Sequence, residues 1–354
     1  MPPRRRKRID PAAFALPVER IREGLYSDAY FNSSRAALRG EGRVARVTWQ
    51  LTSKRGGWLG GIDEAVALLK LCSDDFAALE VHALYEGDRV EPWDTVLLVD
   101  GDYASFAHLE TLILGTVARR TRLCTNLRTL VDAARPKPVY YFGARSDHAL
   151  LQPGDGLSAH VAGAASMSTD ALGTLAGKPG AGTIPHALIA AYGGDTVAAT
   201  AAVAAATPPE VPLIALVDYD NDCVATSLAV ARALEDRLWG VRLDTAEYMV
   251  DRSVVPVMGS FRPTGVNPVL VWNVRNALDA EGFGAVKIVV SGGFDLARIR
   301  AFEEEGVPVD AYGVGAAAHD GRWDFTGDVV QLDGRPQAKA GRELRPNPRL
   351  ERVK

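Results

Sequence analysis

Ala285-Val286-Lys287-Ile288-Val289-Val290-Ser291-Gly292-Gly293, then a helix-like run, then Val309-Asp310-Ala311-Tyr312-Gly313-Val314-Gly315, reads as two strands joined by one short helix, each strand ending in small residues. Apolar strands linked by a helical crossover form a parallel pair. Ser291, Gly292 and Gly293 bare the backbone where the first strand is expected to stop, and Gly313 and Gly315 where the second does. Such turns on adjacent strands can aim several N–H groups at one phosphate. A phosphate held by the last two strand–helix loops recurs in (β/α) barrels. Either loop alone is explained as well by a tight turn. Together, with no GxxxxGK[ST] motif anywhere, they favour the barrel phosphate over a P-loop.

Working outward, the same rhythm holds back to Pro138. Val139-Tyr140-Tyr141-Phe142 ends at Gly143-Ala144-Arg145, and Leu213–Val217 ends at Asp218-Tyr219-Asp220-Asn221-Asp222. Trp239-Gly240-Val241-Arg242-Leu243 ends at Asp244-Thr245. Apolar strands alternating with amphipathic helices imply a parallel sheet covered on both faces, with its chemistry at the strand ends. Between Gly154 and Ala206 the chain is rich in Gly and Ala, which suits close helix packing. Its Gly177–Gly182 portion, just ahead of a helix start, is a candidate anion cradle.

Residues 1–115 have a different character, with strand patterns at Val44–Leu51 and at Thr95–Val99, the latter expected to end at the turn signal Asp100-Gly101-Asp102. A helix is expected from about Ala104 to Ala134, with the domain boundary on or near it. The expected organisation is α/β: an N-terminal unit over 1–115, a catalytic (β/α) barrel over 116–325 and a C-terminal segment over 326–354.

Composition bounds the function. A net charge of −4 supplies no general basic field, so nucleic acid is not an expected partner. The one basic cluster, Arg4–Arg8, reads as a frayed solvated tail. Cys72, Cys124 and Cys223 are scattered and form no CxxC, against a zinc or disulfide framework and for a reducing, cytoplasmic compartment. No uninterrupted apolar run of about 18 residues suggests a membrane span, and no apolar segment near the start suggests a secretory signal.

Several strand-end residues carry chemistry. Asp218 and Asp244 suit Mg²⁺ working with substrate phosphates, or ribose hydroxyls. Asp220 and Asp222 lie beside them, and Asp222 equally fits a helix N-cap before Cys223. Arg145 and Arg242 offer planar forks for phosphate, or ion pairs with neighbouring carboxylates. Phe142 offers a flat face to an aromatic ligand, or plain core. His148 and His186 are two of six histidines, and His186 follows Gly182-Thr183, where an imidazole could attack a phosphoryl group.

Assembled, these residues resemble the nicotinate phosphoribosyltransferase family, in its shorter archaeal-like branch. Tyr26-Ser27-Asp28-Ala29-Tyr30-Phe31 is similar to the family's Asp-x-Tyr motif and Glu110–Gly115 to its first signature helix. Phe142–Arg145 resembles FGxR, and Gly182-Thr183-Ile184-Pro185-His186-Ala187 resembles GTxPHA. Leu216–Asp218, Gly240–Thr245, Ser291–Gly293 and Asp310–Gly315 follow in the family's order, and eight such motifs span nearly the whole chain.

The resemblance implies an N-terminal α/β sandwich domain and an irregular, type II phosphoribosyltransferase-like barrel, in a head-to-tail homodimer with shared active sites. It implies transfer of a phosphoribosyl group from 5-phosphoribosyl 1-diphosphate to nicotinate, with Mg²⁺ and with ATP as co-substrate. Phe142 and the partner copy's equivalent of Tyr30 would sandwich the pyridine, with Asp28 near the latter. Arg145 and Arg242 would bind phosphate or diphosphate oxygens, Asp218 and Asp244 the metal or ribose, and the glycine loops the 5′-phosphate. His186 falls on the family's phosphorylatable histidine. Ser146 replaces a second Arg of many members, and the cysteine-free tail implies that the zinc-binding domain of some relatives is missing. Asp195 falls where nicotinamide-using relatives carry an Asp near the amide, so nicotinamide, or another pyridine, is the alternative acceptor. A catalytically silent nucleotide-binding homologue is the alternative of another class. Quinolinate is disfavoured, since a second carboxylate calls for more cations.

Overall fold

The protein is described by a computed structural model over residues 7–353. Helix α1 (Ala29–Gly40) leads into β1 (Arg46–Ser53), α2 (Ile62–Cys72), β2 (Glu80–Ala83), β3 (Thr95–Asp102) and the long α3 (Glu110–Ala134). Parallel strands and helices follow: β4 (Val139–Tyr141), α4 (Gln152–Ala162), β5 (Ser166–Met167), α5 (His186–Ala191), α6 (Thr196–Ala206), β6 (Leu213–Leu216), α7 (Cys223–Leu234), β7 (Leu238–Leu243), α8 (Pro268–Ala280), β8 (Lys287–Val290), α9 (Leu296–Glu304) and β9 (Ala311–Val314). The chain closes with β10 (Phe325–Leu332), β11 (Arg335–Pro336) and β12 (Glu351–Arg352).

The first sheet runs β11-β10-β1-β3-β2-β12, all antiparallel. Val47, Trp49 and Leu51 alternate along β1 and enter one apolar core with Leu68 and Leu69 of α2 and Ile113 and Val117 of α3. The polar alternates Thr48, Gln50 and Thr52 are buried as well. The C-terminal segment lies over that face, and Gln50 donates to the Glu343 carbonyl and accepts from the Arg345 N–H. Burial of those amides is thereby compensated.

Asp100-Gly101-Asp102 does not end β3 as a turn. Asp100 accepts from Arg46 Nε at 2.7 Å and from Thr48 Oγ1 at 2.8 Å, and the ladder to β1 continues to Asp102. The helix expected from Ala104 is broken into short turns, and α3 proper begins at Glu110. Arg4–Arg6 lie outside the described residues, but Arg8 is no solvated tail. It pairs with the buried Asp63 at 2.7 Å and stacks on Tyr85 at 4.2 Å.

The second sheet runs β5-β4-β9-β8-β7-β6, six parallel strands curled into a half-barrel. Its core takes Leu123, Leu127 and Leu130 from α3, with Val241, Ile288 and Val290 from the strands. Helix α3 therefore serves two cores, the first up to Val117 and the second from Leu123. Because the strands are parallel, Phe142, Asp218, Asp244, Ser291 and Gly315 all emerge at one edge. Gly313 is a correction to the sequence reading: β9 continues through Val314, so Gly313 sits inside the strand, opposite Tyr140. Among the described residues no helix is long and apolar enough to cross a membrane.

Candidate active site

A cavity of about 480 Å³ opens at that edge. Phe142, Arg145, Arg242 and Asp244 line it, together with both glycine loops. Phe142 is the first residue past β4, and its N–H donates to the Val314 carbonyl at 2.7 Å. Its ring lies where a side chain at 313 would stand, since a Cβ added to Gly313 would come within 2.5 Å of Phe142 Cε2. Glycine at 313 thus makes room for the aromatic platform. Gly292 and Gly293 have φ of +85° and +75°, the left-handed region in which glycine carries no strain.

Arg242 is the penultimate residue of β7 and Asp244 the first past its end. Arg242 Nη1 donates to Thr183 Oγ1 at 2.6 Å and Nη2 pairs with Asp244 Oδ2 at 3.3 Å. Its guanidinium carbon is 5.9 Å from the centre of the Phe142 ring, and its buried Nε has no hydrogen-bond partner among the described residues. Desolvation lowers the Arg242 pKa, against the pull of Asp244 and Asp218. Asp244 Oδ1 accepts from Ser291 Oγ at 2.7 Å, tying the β7 end to the β8 end. Arg145 lines the cavity exposed, with no carboxylate partner among the described residues, and so is available to an anion.

Past the end of β6, and not among the residues that line the cavity, the Asp218 side chain is buried while His186 is half-exposed, and His186 Nε2 donates to Asp218 Oδ1 at 3.0 Å. Burial raises the Asp218 pKa, His186 opposes the rise, and Asp244 adds to it. Asp218 and Asp244 are thus electrostatic neighbours. Among the described residues no group of three or more His, Cys, Asp or Glu could hold a metal ion. Mg²⁺ commonly uses one or two carboxylates plus substrate phosphates and water. The Asp218 and Asp244 oxygens fit that role, not that of an all-protein cage.

Other residues singled out by sequence lie elsewhere. His148 caps the turn at Ala149–Leu151, its Nδ1 accepting from the Leu150 N–H at 3.3 Å. Asp195 is the N-cap of α6, accepting from the Ala198 N–H at 2.9 Å, and lines a separate groove with Asp220 and Asp222. Asp222 caps α7. Asp28 and Tyr30 belong to the N-terminal unit and do not line the cavity. Tyr30 is 62% exposed, and its hydroxyl and that of Thr111 both donate to Asp28 Oδ2. Asp295 and Asp320, which sequence reading passed over, stand at the cavity rim. Asp295 looks like an ordinary cap of α9, which it also is, so its spacing carried no signal.

The half-barrel thus brings glycine turns, an aromatic platform and two arginines to one edge, an arrangement suited to holding a phosphorylated ligand beside a flat ring. Residues 28–121 match the sequence model of the quinolinate phosphoribosyl transferase N-terminal domain. A crystal structure titled nicotinate-nucleotide pyrophosphorylase, from Pyrococcus furiosus, superposes with a TM-score of 0.79 at 33% identity, covering 93% of this chain and 80% of that one. A nicotinate phosphoribosyltransferase of Mycobacterium tuberculosis is 31% identical over 272 residues, 73% of this chain and 55% of its own length. Human nicotinic acid phosphoribosyltransferase shares the fold, with a TM-score of 0.67 at 19% identity, over 88% of this chain and 76% of that one. The chain belongs to the nicotinate phosphoribosyltransferase family. It spans about half the length of the curated relatives it matches.

Proposed function

We propose that the chain transfers the phosphoribosyl group of 5-phosphoribosyl 1-diphosphate to nicotinate, releasing diphosphate and forming nicotinate mononucleotide for NAD synthesis. One arrangement carries the reading: Phe142, seated against Gly313, faces the same cavity as the unpaired Arg145 and the glycine loops. The pyridine would lie on Phe142, the 5′-phosphate against Gly292, Gly293 and Gly315, and the diphosphate against Arg145 and Arg242. The C1–O bond breaks with its electron pair leaving on diphosphate, and the pyridine nitrogen lone pair closes on C1. The protein's task is to stabilise the departing charge and hold the ring in line. Asp244, fixed by Ser291 and Arg242, would hold ribose hydroxyls or metal. Mg²⁺ carried in with the substrate would supply charge neutralisation of the diphosphate.

Nicotinate is favoured over nicotinamide because the Asp195 carboxylate is engaged as a helix cap and lines another groove. Quinolinate would add a second carboxylate to a cavity lined by two arginines, Arg145 and Arg242, that the phosphates also need. ATP assistance rests on His186: with Nε2–H given to Asp218, Nδ1 keeps its lone pair for a phosphoryl group. We further read the N-terminal unit as an α/β sandwich domain and the working form as a homodimer in which a second copy brings Tyr30 and Asp28 over the cavity. The three buried, free cysteines suit a reducing cytoplasm. Two assays test the reading. Asp244→Ala should abolish mononucleotide formation, and undiminished turnover would remove Asp244 from the site. γ-Labelled ATP should label wild type but not His186→Ala, and equal labelling would remove His186 as acceptor.

A further inference from the structure

His319 ends the turn Ala316–His319 that follows β9 and Gly315, and its ring reaches across to the end of β4. Its Nε2 is 2.8 Å from the Tyr141 hydroxyl, and the two rings stack with centres 6.1 Å apart. Its Nδ1 is buried, without a hydrogen-bond partner among the described residues, and 3.7 Å from Asp147 Oδ2. Asp147 lies two residues beyond Arg145. Arg119 of α3 donates to Asp147 at 2.8 Å while also gripping Asp155 of α4. Asp147 is therefore fixed from behind by α3, and His319 is fixed to β4 by Tyr141. The link left open is the one between them.

The tautomer follows from the surroundings. A lone pair on Nδ1 would face a carboxylate and be repelled. With the Tyr141 hydroxyl donating to Nε2, Nδ1 carries the proton and faces Asp147 as a donor. The charged groups around the ring are Asp155, Arg119, Asp147 and Arg122, and burial lowers the imidazole pKa.

We infer that His319 and Asp147 form a clasp between the two anion-binding walls of the cavity, closing to a hydrogen bond when a phosphoribosyl diphosphate is held between Arg145 and the end of β9 at Gly315. Closure needs a shift of about 0.5 Å. His319 touches no substrate: it is a positioning residue that sets the distance between the walls. The inference rests on the functional reading above.

The test is calorimetric titration of the full chain with 5-phosphoribosyl 1-diphosphate, alongside the KM for each substrate. Asparagine at 319 places an amide near the Nδ1 position and keeps a donor for Asp147. Glutamine places it near Nε2 and keeps only the Tyr141 bond. His319→Gln is expected to weaken diphosphate-substrate binding about tenfold, leaving the KM for nicotinate unchanged, while His319→Asn stays within about threefold of wild type. Asp147→Ser should show the same selective loss, and the double variant with His319→Gln no further loss. Equal weakening by Asn and Gln, additive losses in the double variant, or a Gln variant that binds like wild type would overturn the clasp. Failure of wild type to bind the diphosphate substrate would overturn the functional reading itself, and the clasp with it.

Discussion

Phe142 and Arg242 share the cavity, while Asp195 stands outside it. Phe142 supplies a flat apolar face and Arg242 a desolvated cation 5.9 Å from its centre, with an Nε that has no hydrogen-bond partner among the described residues. Phe142→Ala should raise the KM for nicotinate about tenfold, roughly 1.4 kcal/mol, with a smaller effect on the KM for the diphosphate substrate. Steady-state kinetics with each substrate varied in turn would check this, and equal rises in both would place the ring outside the pyridine site. Asp195 fixes a helix start, so Asp195→Ala should lower stability by about 1 kcal/mol, read as a drop in Tm, and leave acceptor preference as it was. A changed preference would return Asp195 to the acceptor pocket.

At the scale of elements, the parallel strands were legible because each is an apolar run ending in a polar or glycine turn, and the five named from sequence are present, while the two-residue β5 was too short to read. The limits were missed where side chains far along the chain decide them. Asp100 reads as a turn residue but is held in β3 by Arg46 and Thr48, more than fifty residues upstream. Gly313 reads as a loop glycine, yet its strand position serves a ring 171 residues before it. Gly313→Ala should displace Phe142 and raise the KM for nicotinate, with stability reduced by about 1–3 kcal/mol. Unchanged kinetics would mean that the ring has another way to yield. Nor was Glu86 visible from spacing. It accepts from the Gly61 and Asp63 N–H groups at the start of α2, and burial, reinforced by Asp63, pushes its pKa up to about 8. A carboxyl with its folded pKa above its unfolded value stabilises the fold at low pH and loses that contribution as pH rises through about 8. The Tm of wild type should therefore fall between pH 5 and pH 8 by more than that of Glu86→Gln, and parallel profiles would contradict this.

Over the whole molecule, α3 joins two cores, and Arg120 bridges the same two units by pairing with Glu64 of α2 and Asp155 of α4. The cavity at the half-barrel edge holds the phosphate loops and Phe142, while Tyr30 and Asp28 stand exposed on the other unit. A second copy that presents them would complete the site. Mixing Tyr30→Ala with Asp244→Ala, each inactive alone, should then restore partial activity through mixed dimers, and no recovery after co-refolding would argue for sites that each chain completes by itself. The central claim is the acceptor. The most direct measurement is diphosphate release from 5-phosphoribosyl 1-diphosphate with nicotinate, nicotinamide or quinolinate as acceptor, with and without ATP. The account predicts kcat/KM for nicotinate at least about tenfold above either alternative, roughly 1.4 kcal/mol in the transition state. Nicotinamide or quinolinate leading by that margin, or no acceptor-dependent release at all, would contradict it.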